Sequence, residues 1–185
     1  GFAEDPIWGQ TMNVYLENKT DKALIYTIEA CAINGVMNDP FWATEVLPGS
    51  KANESISWMS PSGNASSVGI TKLDFTLRIS DSEDFMAEPV FNQSFSIYPV
   101  GEENVVPDVY SIKESDIVLF DTDDAAMIVI GFRNDEIWGY TVDVYIVNKT
   151  QNTLMFAVDS ATINGFMCDP FWACEVNANT CAYHS

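Results

Sequence analysis

The sequence predicts an all-β protein: a two-sheet antiparallel β-sandwich in tandem repeats, present in about one and a half copies. Three observations carry the prediction. Residues 1–55 align without a gap on residues 131–185, and 26 of the 55 pairs are identical. Self-similarity at a long fixed period marks an array of structural units. Within the repeat, apolar and polar residues alternate at the period of two that belongs to strands. Turn residues break these runs about every 8 to 12 residues, the spacing of sandwich strands, and no sustained helical stripe intervenes.

The elements follow in order. Met12, Val14 and Leu16 alternate with Asn13, Tyr15 and Glu17 in a strand over residues 11–18, and Val142, Val144 and Ile146 hold the same places in the second copy. After the NKTD turn, Leu24, Tyr26, Ile28 and Ala30 form one face of a strand over residues 23–33. Leu154, Phe156, Val158 and Ser160 match them, and Cys31 falls on the outward side. Asn34-Gly35 and Asn164-Gly165 close these strands, since both residues tolerate the positive φ of a tight turn. A short strand at 41–46, a Pro48-Gly49 turn and a strand at 54–58 come next. The clearest strand is 71–80, with Leu73, Phe75, Leu77 and Ile79 inward. The acidic run 81–84 ends it, and residues 91–98 place Phe95 and Ile97 inward. Residues 101–115 read as a linker between a first repeat at 1–100 and a second at 116–185. The second opens with strands at 117–120 and 127–132, on either side of the acidic turn 121–124.

Each copy is expected to be incomplete. The first lacks a counterpart of the strand at 126–131, and the second lacks everything matching residues 57–98. The expectation is therefore a piece of a longer protein, with open sheet edges that invite strand pairing and self-association.

Composition narrows the partners. With 47% hydrophobic and 12% aromatic residues the chain can bury a core, so disorder is excluded. The 27 acidic residues against 8 basic ones give a net charge of −19. That field repels phosphate backbones and anionic membranes, so no nucleic acid is expected as a partner. No apolar run reaches the roughly 18 to 20 residues of a membrane span.

Catalytic chemistry fails on inventory. The one histidine, His184, is the penultimate residue of the sequence, and any Ser-His-Asp or Cys-His arrangement would need it. No glycine-rich phosphate loop occurs. A hydrolase built from paired carboxylates is the least favoured of the readings, because acids in strand-flanking turns are mostly solvated. Cys168, Cys174, Cys181 and His184 contain a tetrahedral zinc set by type but not by spacing, and Asn38, Thr44, Lys51 and Glu54 replace them in the first copy. No metal and no cofactor are therefore expected. A disulfide among Cys168, Cys174 and Cys181, or with Cys31, stands beside free thiols as an open alternative. The acidic runs lack the frame of a calcium loop. Five N-x-S/T triplets, at Asn18, Asn53, Asn64, Asn92 and Asn148, read as polar turn and strand residues rather than glycan acceptors.

Binding candidates are aromatic. Trp8, Trp42, Trp138 and Trp172 lie beside turns, and Asp39-Pro40-Phe41-Trp42, repeated as Asp169-Pro170-Phe171-Trp172, joins a rigid turn to two large apolar groups. The candidate surface is Trp8, Asp39, Phe41, Trp42, Trp138, Asp169, Phe171 and Trp172. The competing role for the tryptophans is to plug the open end of a sandwich.

The succession of a strand ending in N-K-T-D, a strand ending in I-N-G, a D-P-F-W-A segment and P-G-S-K-A-N-x-S-I resembles an uncharacterised repeat family of secreted proteins and lipoproteins from Gram-positive gut bacteria. Those repeats are similar in layout to immunoglobulin-like sandwiches. The resemblance implies an immunoglobulin-like fold, export and an extracellular or cell-surface location, and it supplies no catalytic residues. Asn177-Ala178-Asn179-Thr180 departs from it at the position of Leu47-Pro48-Gly49-Ser50. The expected function is a non-catalytic binding module for a protein, glycan or cell-wall component. A structural spacer or stalk domain is the alternative.

Overall fold

The computed structural model describes residues 1–7, 9–58 and 69–185. The chain is all-β: the described residues contain no α-helix and a single 3-10 turn at Glu102–Asn104. It divides into two compact units, Gly1–Asp108 and Val109–Ser185.

In the first unit, β1 (Phe2–Asp5), β2 (Gly9–Glu17) and β6 (Lys51–Ser57) form one antiparallel sheet in the order β1-β2-β6. In the second sheet, β3 (Leu24–Ile33) pairs with β7 (Leu73–Asp81), and β7 with β8 (Phe91–Ile97). The other side of β3 is shared by β4 (Val36–Met37) and β5 (Ala43–Val46). Alternation drives the two sheets together. Met12 and Ile56 from one meet Ile28, Leu73 and Phe75 from the other in a single buried cluster with Cys31, Trp58 and Ile70. Leu24, Tyr26 and Val46 form a second cluster, with Leu16, Trp42, Ala52 and Ile79 packed on it. Burying each large apolar side chain contributes about 1.5–3 kcal/mol.

The second unit contains β9 (Ile117–Asp121), β10 (Ala125–Asp135), β11 (Gly139–Asn148), β12 (Leu154–Ala157), β13 (Ala161–Ile163), β14 (Phe166–Cys168), β15 (Ala173–Val176) and β16 (Cys181–His184). Strands β9, β10, β11 and β16 pair in that order, while β12 pairs with β15 and β13 with β14. Wherever both copies have the strands, the registers agree at an offset of 130. Phe2 faces Met12 as Phe132 faces Val142, Leu16 faces Ala52 as Ile146 faces Ala182, and Leu24 faces Val46 as Leu154 faces Val176. The repeated D-x-I-W-G turns explain the first of these. Asp5 accepts the Ile7 N–H and Asp135 accepts those of Ile137 and Trp138, while Gly9 and Gly139 take φ of 70° and 75°. A residue with a Cβ is disfavoured there.

The copies differ where β7 is concerned. In the first unit β7 runs along the whole of β3 and holds it as one strand across a bulge between Glu29 and Ala32. The expected strand from Leu154 to Ser160 instead ends at Ala157, and a separate β13 starts at Ala161. Without a long neighbour to bridge the irregularity, each half keeps only its own short partner.

The bulge also corrects the expectation for Cys31. Ala30 takes a φ of 52°, one extra residue enters the strand, and the alternation inverts beyond it. Cys31 is consequently 0% exposed, and Trp58 Nε1 donates to its sulfur at 3.3 Å. Burial pushes this thiol up from 9.0 to about 12. A raised thiol pKa contributes stability that is complete below pH 9 and is lost as pH climbs toward 12. Cys31 should thus stay unlabelled by a thiol reagent at pH 8 and react only on unfolding; labelling of the native protein as fast as of the unfolded chain would refute its burial.

Two further expectations are adjusted. Phe95 lies beside Phe75, with ring centroids 5.8 Å apart and planes tilted by 31°, but it sits on the edge strand β8 and stays exposed, whereas Ile97 packs on the core. Residues 101–115 carry little regular structure, yet their middle is held. Thr71 Oγ1 accepts the Val106 N–H and the Asn34 carbonyl accepts that of Asp108. In the second unit, Tyr110 lies 5.1 Å from the Tyr145 ring and donates to Asp116.

Candidate functional site

The four cysteines carry thiols rather than disulfides. Cys168, Cys174 and Cys181 lie on β14, β15 and β16, and their cross-strand partners are Ala161, Phe156 and Val147. None of the three thus has another cysteine as its cross-strand partner. Among the described residues no group of three or more His, Cys, Asp or Glu side chains is arranged to hold a metal ion. His184 uses Nδ1 to accept the indole N–H of Trp172 at 2.7 Å.

The shifted carboxylates are structural acceptors. Asp81 is held below its ordinary pKa by a hydrogen bond from Lys22, then by the Glu83 N–H. Asp116 is lowered mainly by the Lys113 N–H, and Asp135 mainly by those of Trp138 and Ile137. A lowered carboxylate stays ionised, the opposite of what a general acid needs. Both acidic runs engage lysines, Lys22 with Asp81 and Lys149 with Asp121.

The repeated NKT motif is a structural device. Asn18 is buried at the end of β2, where Nδ2 donates to the carbonyls of Lys22 (2.7 Å) and Val46 (2.8 Å) while Oδ1 accepts the Thr20 N–H and hydroxyl. Asn148 repeats the pattern with Asn152, Val176 and Thr150. The amide nitrogens that glycosylation would modify are thus engaged inside the fold. Asn64 lies outside the described residues.

The DPFW segments sort the remaining candidates. Asp39 accepts the Cys31 N–H at the bulge, so it stabilises that irregularity. The Trp42 N–H closes a three-residue turn onto the Pro40 carbonyl at 2.8 Å, which throws the two aromatics apart. Trp42 packs on both core clusters. Phe41, at the apex, is 106% exposed. In the second copy Asp169 accepts the Phe171 N–H at 2.9 Å, Phe171 takes a φ of 47° and is 97% exposed, and Trp172 is half-buried beside His184. A phenylalanine held at positive φ is strained, and here the strain keeps an apolar ring in solvent. Trp138, on the β10–β11 turn, is 81% exposed. Trp8 lies outside the described residues. The structure therefore keeps Phe41, Phe171 and Trp138 as surface groups and assigns Asp39 and Trp42 to the framework.

No protein-family model matches the chain, and no curated protein does. Among solved structures it is similar to a chain in the crystal structure of the CsuC-CsuE chaperone-tip adhesion subunit pre-assembly complex from archaic chaperone-usher Csu pili of Acinetobacter baumannii. The identity is 13% and the TM-score 0.31, over 100% of this chain and 87% of that one. At that level the likeness carries no argument about this protein.

Proposed function

We propose that the chain is a non-catalytic, exported or cell-surface binding module built of immunoglobulin-like β-sandwich repeats, and that it engages its target through the aromatic turns at Phe41 and Phe171. The observation that carries this reading is the repeated fate of one motif. In each copy the phenylalanine stands in solvent, as Phe41 and Phe171 do, while the neighbouring tryptophan is less exposed, Trp42 packed on the core and Trp172 half-buried beside His184. A rigid turn presents such a ring at low entropic cost, which suits a protein, glycan or cell-wall surface.

The test is a Phe41→Ala/Phe171→Ala double variant, assayed on glycan arrays and purified cell-wall sacculi. We expect binding to fall tenfold or more while the unfolding midpoint stays within about 0.5 kcal/mol of the parent, as for other exposed positions. Undiminished binding would reject these turns as the contact surface. The spacer reading draws support from the middle of residues 101–115, where Val106 and Asp108 bond to the first unit and Tyr110 packs on the second. It predicts no binding by the parent protein to either material.

A further inference from the structure

We infer that Tyr110 and Tyr145 form an oxidative cross-linking site: under a one-electron oxidant their rings couple into a dityrosine that ties residues 109–116 covalently to β11. The inference lies wholly within the second unit and does not rest on the phenylalanine turns. It starts from a group of phenols on one face of a sheet. Tyr145 of β11 stands in register with Tyr183 of β16, and their ring centroids are 5.1 Å apart. Tyr110, which belongs to no strand, lies 5.1 Å from Tyr145 and 6.2 Å from Tyr183. Three of the seven tyrosines of the chain thus meet at one place. Tyr145 is buried, while Tyr110 and Tyr183 are half-buried and open to an electron acceptor in solvent. The first unit holds an internal control: Tyr15, the counterpart of Tyr145, is 57% exposed and stands opposite Asn53 rather than a tyrosine.

Ring contact alone would make this an aromatic cluster, and its polar partners are what suit it to oxidation. The Tyr110 hydroxyl donates to Asp116 Oδ2 at 2.8 Å, and the Lys113 N–H donates to the same oxygen at 2.7 Å. That carboxyl is held ionised, below its ordinary range, mainly by the Lys113 N–H. A phenol that gives up an electron becomes a very strong acid, so even a weakly basic carboxylate already bonded to its hydroxyl takes the proton as the electron leaves. Tyr110 therefore loses an electron to the oxidant and its phenolic proton to Asp116, and Tyr145 loses an electron and a proton likewise, the proton going to water. The two phenoxyl radicals then join through one ortho carbon of each ring, and the two displaced ring hydrogens move to the oxygens, restoring two phenols. Two equivalents of one-electron oxidant are reduced. Holding the rings 5.1 Å apart replaces a rare encounter of two radicals by a local step. The Cys181 thiol, hydrogen-bonded to the Tyr145 hydroxyl, competes by returning a hydrogen atom to the Tyr145 radical.

The test is photo-oxidation of the intact chain with tris(bipyridyl)ruthenium and persulfate, in dilute solution so that each chain reacts alone, followed by trypsin and mass spectrometry. Cleavage after Arg78, Lys113, Arg133 and Lys149 puts Tyr110 in fragment 79–113, Tyr145 in 134–149 and Tyr183 in 150–185. The principal product should be 79–113 joined to 134–149 with the loss of two hydrogens, the bond lying between Tyr110 and Tyr145. Tyr110→Phe should lower the yield of joined 79–113 and 134–149 at least tenfold, and Tyr15→Phe should leave it unchanged. Asp116→Asn keeps an acceptor for the hydroxyl but removes the base, so the product should form several-fold more slowly while amide exchange in β11 stays as in the parent. Cys181→Ser should raise the yield by removing the competing hydrogen donor. Absence of the product from both the parent and Cys181→Ser would overturn the inference. So would dityrosine spread evenly over the tyrosines or found mainly between chains, and an undiminished rate in Asp116→Asn would refute the carboxylate as proton acceptor.

Discussion

Replacing Asn18 or Asn148 by alanine is expected to destabilise the unit that contains it by about 3 kcal/mol, among the largest effects of any polar substitution in this chain. Each amide is buried and fully engaged. Its removal orphans the carbonyls of Lys22 and Val46, or those of Asn152 and Val176, the bonds to Val46 and Val176 being buried and the other two part-buried. It also releases the Thr20 or Thr150 backbone that shapes the turn. An unmade buried hydrogen bond costs about 1–3 kcal/mol, so two acceptors lost together outweigh the small gain in chain entropy. Aspartate should be no better at neutral pH, since it keeps the acceptor oxygens but faces two carbonyls with no donor. Urea unfolding of each variant measures the loss, and a change below 1 kcal/mol in both would show that water replaces the amide at no penalty.

That device was half legible in the sequence. Identity across the copies marked NKT as a turn, but nothing in the local pattern distinguishes a solvated turn asparagine from one whose amide ties two strands together. The useful signal was a polar residue kept in both copies at the end of an alternating run. Strand alternation worked because one face of each sheet is buried, and it placed Met12, Leu24, Leu73 and Phe75 correctly. It failed at Cys31, where one residue at positive φ inverts the order, and alternation has no means of registering an insertion. It overreached at Phe95, since an inward-facing residue on an edge strand lacks neighbours on one side. The aromatic motif was read as a unit, whereas the Pro40-Phe41-Trp42 turn divides it into a framework ring and a solvent ring. Only backbone geometry makes that division.

The two Asn-Gly turns should respond unequally to one substitution. Asn34 and Asn164 share a sequence, a φ of 52° and a following glycine near 87°, at 88° and 86° respectively. Their surroundings do not match. Asn34 is 2% exposed: its Nδ2 donates to the Gly69 carbonyl at 2.7 Å, and its Oδ1 accepts the Thr71 N–H, the Thr71 hydroxyl and the Lys72 N–H. Its backbone also receives the N–H of Asp108. The turn therefore fastens the approach to β7, whereas Asn164 is exposed. Glycine tolerates the left-handed backbone that alanine resists, so Asn→Gly removes the side chain without straining the turn. Asn34→Gly should cost about 2–4 kcal/mol and speed amide exchange in β7, while Asn164→Gly should stay within about 0.5 kcal/mol of the parent. Denaturant unfolding with exchange mapped to each unit separates the two. Equal losses would mean that the turn conformation itself, not the β7 attachment, gives the asparagine its weight. Unequal losses in the stated direction would assign the difference to the hydrogen bonds by which Asn34 holds the approach to β7.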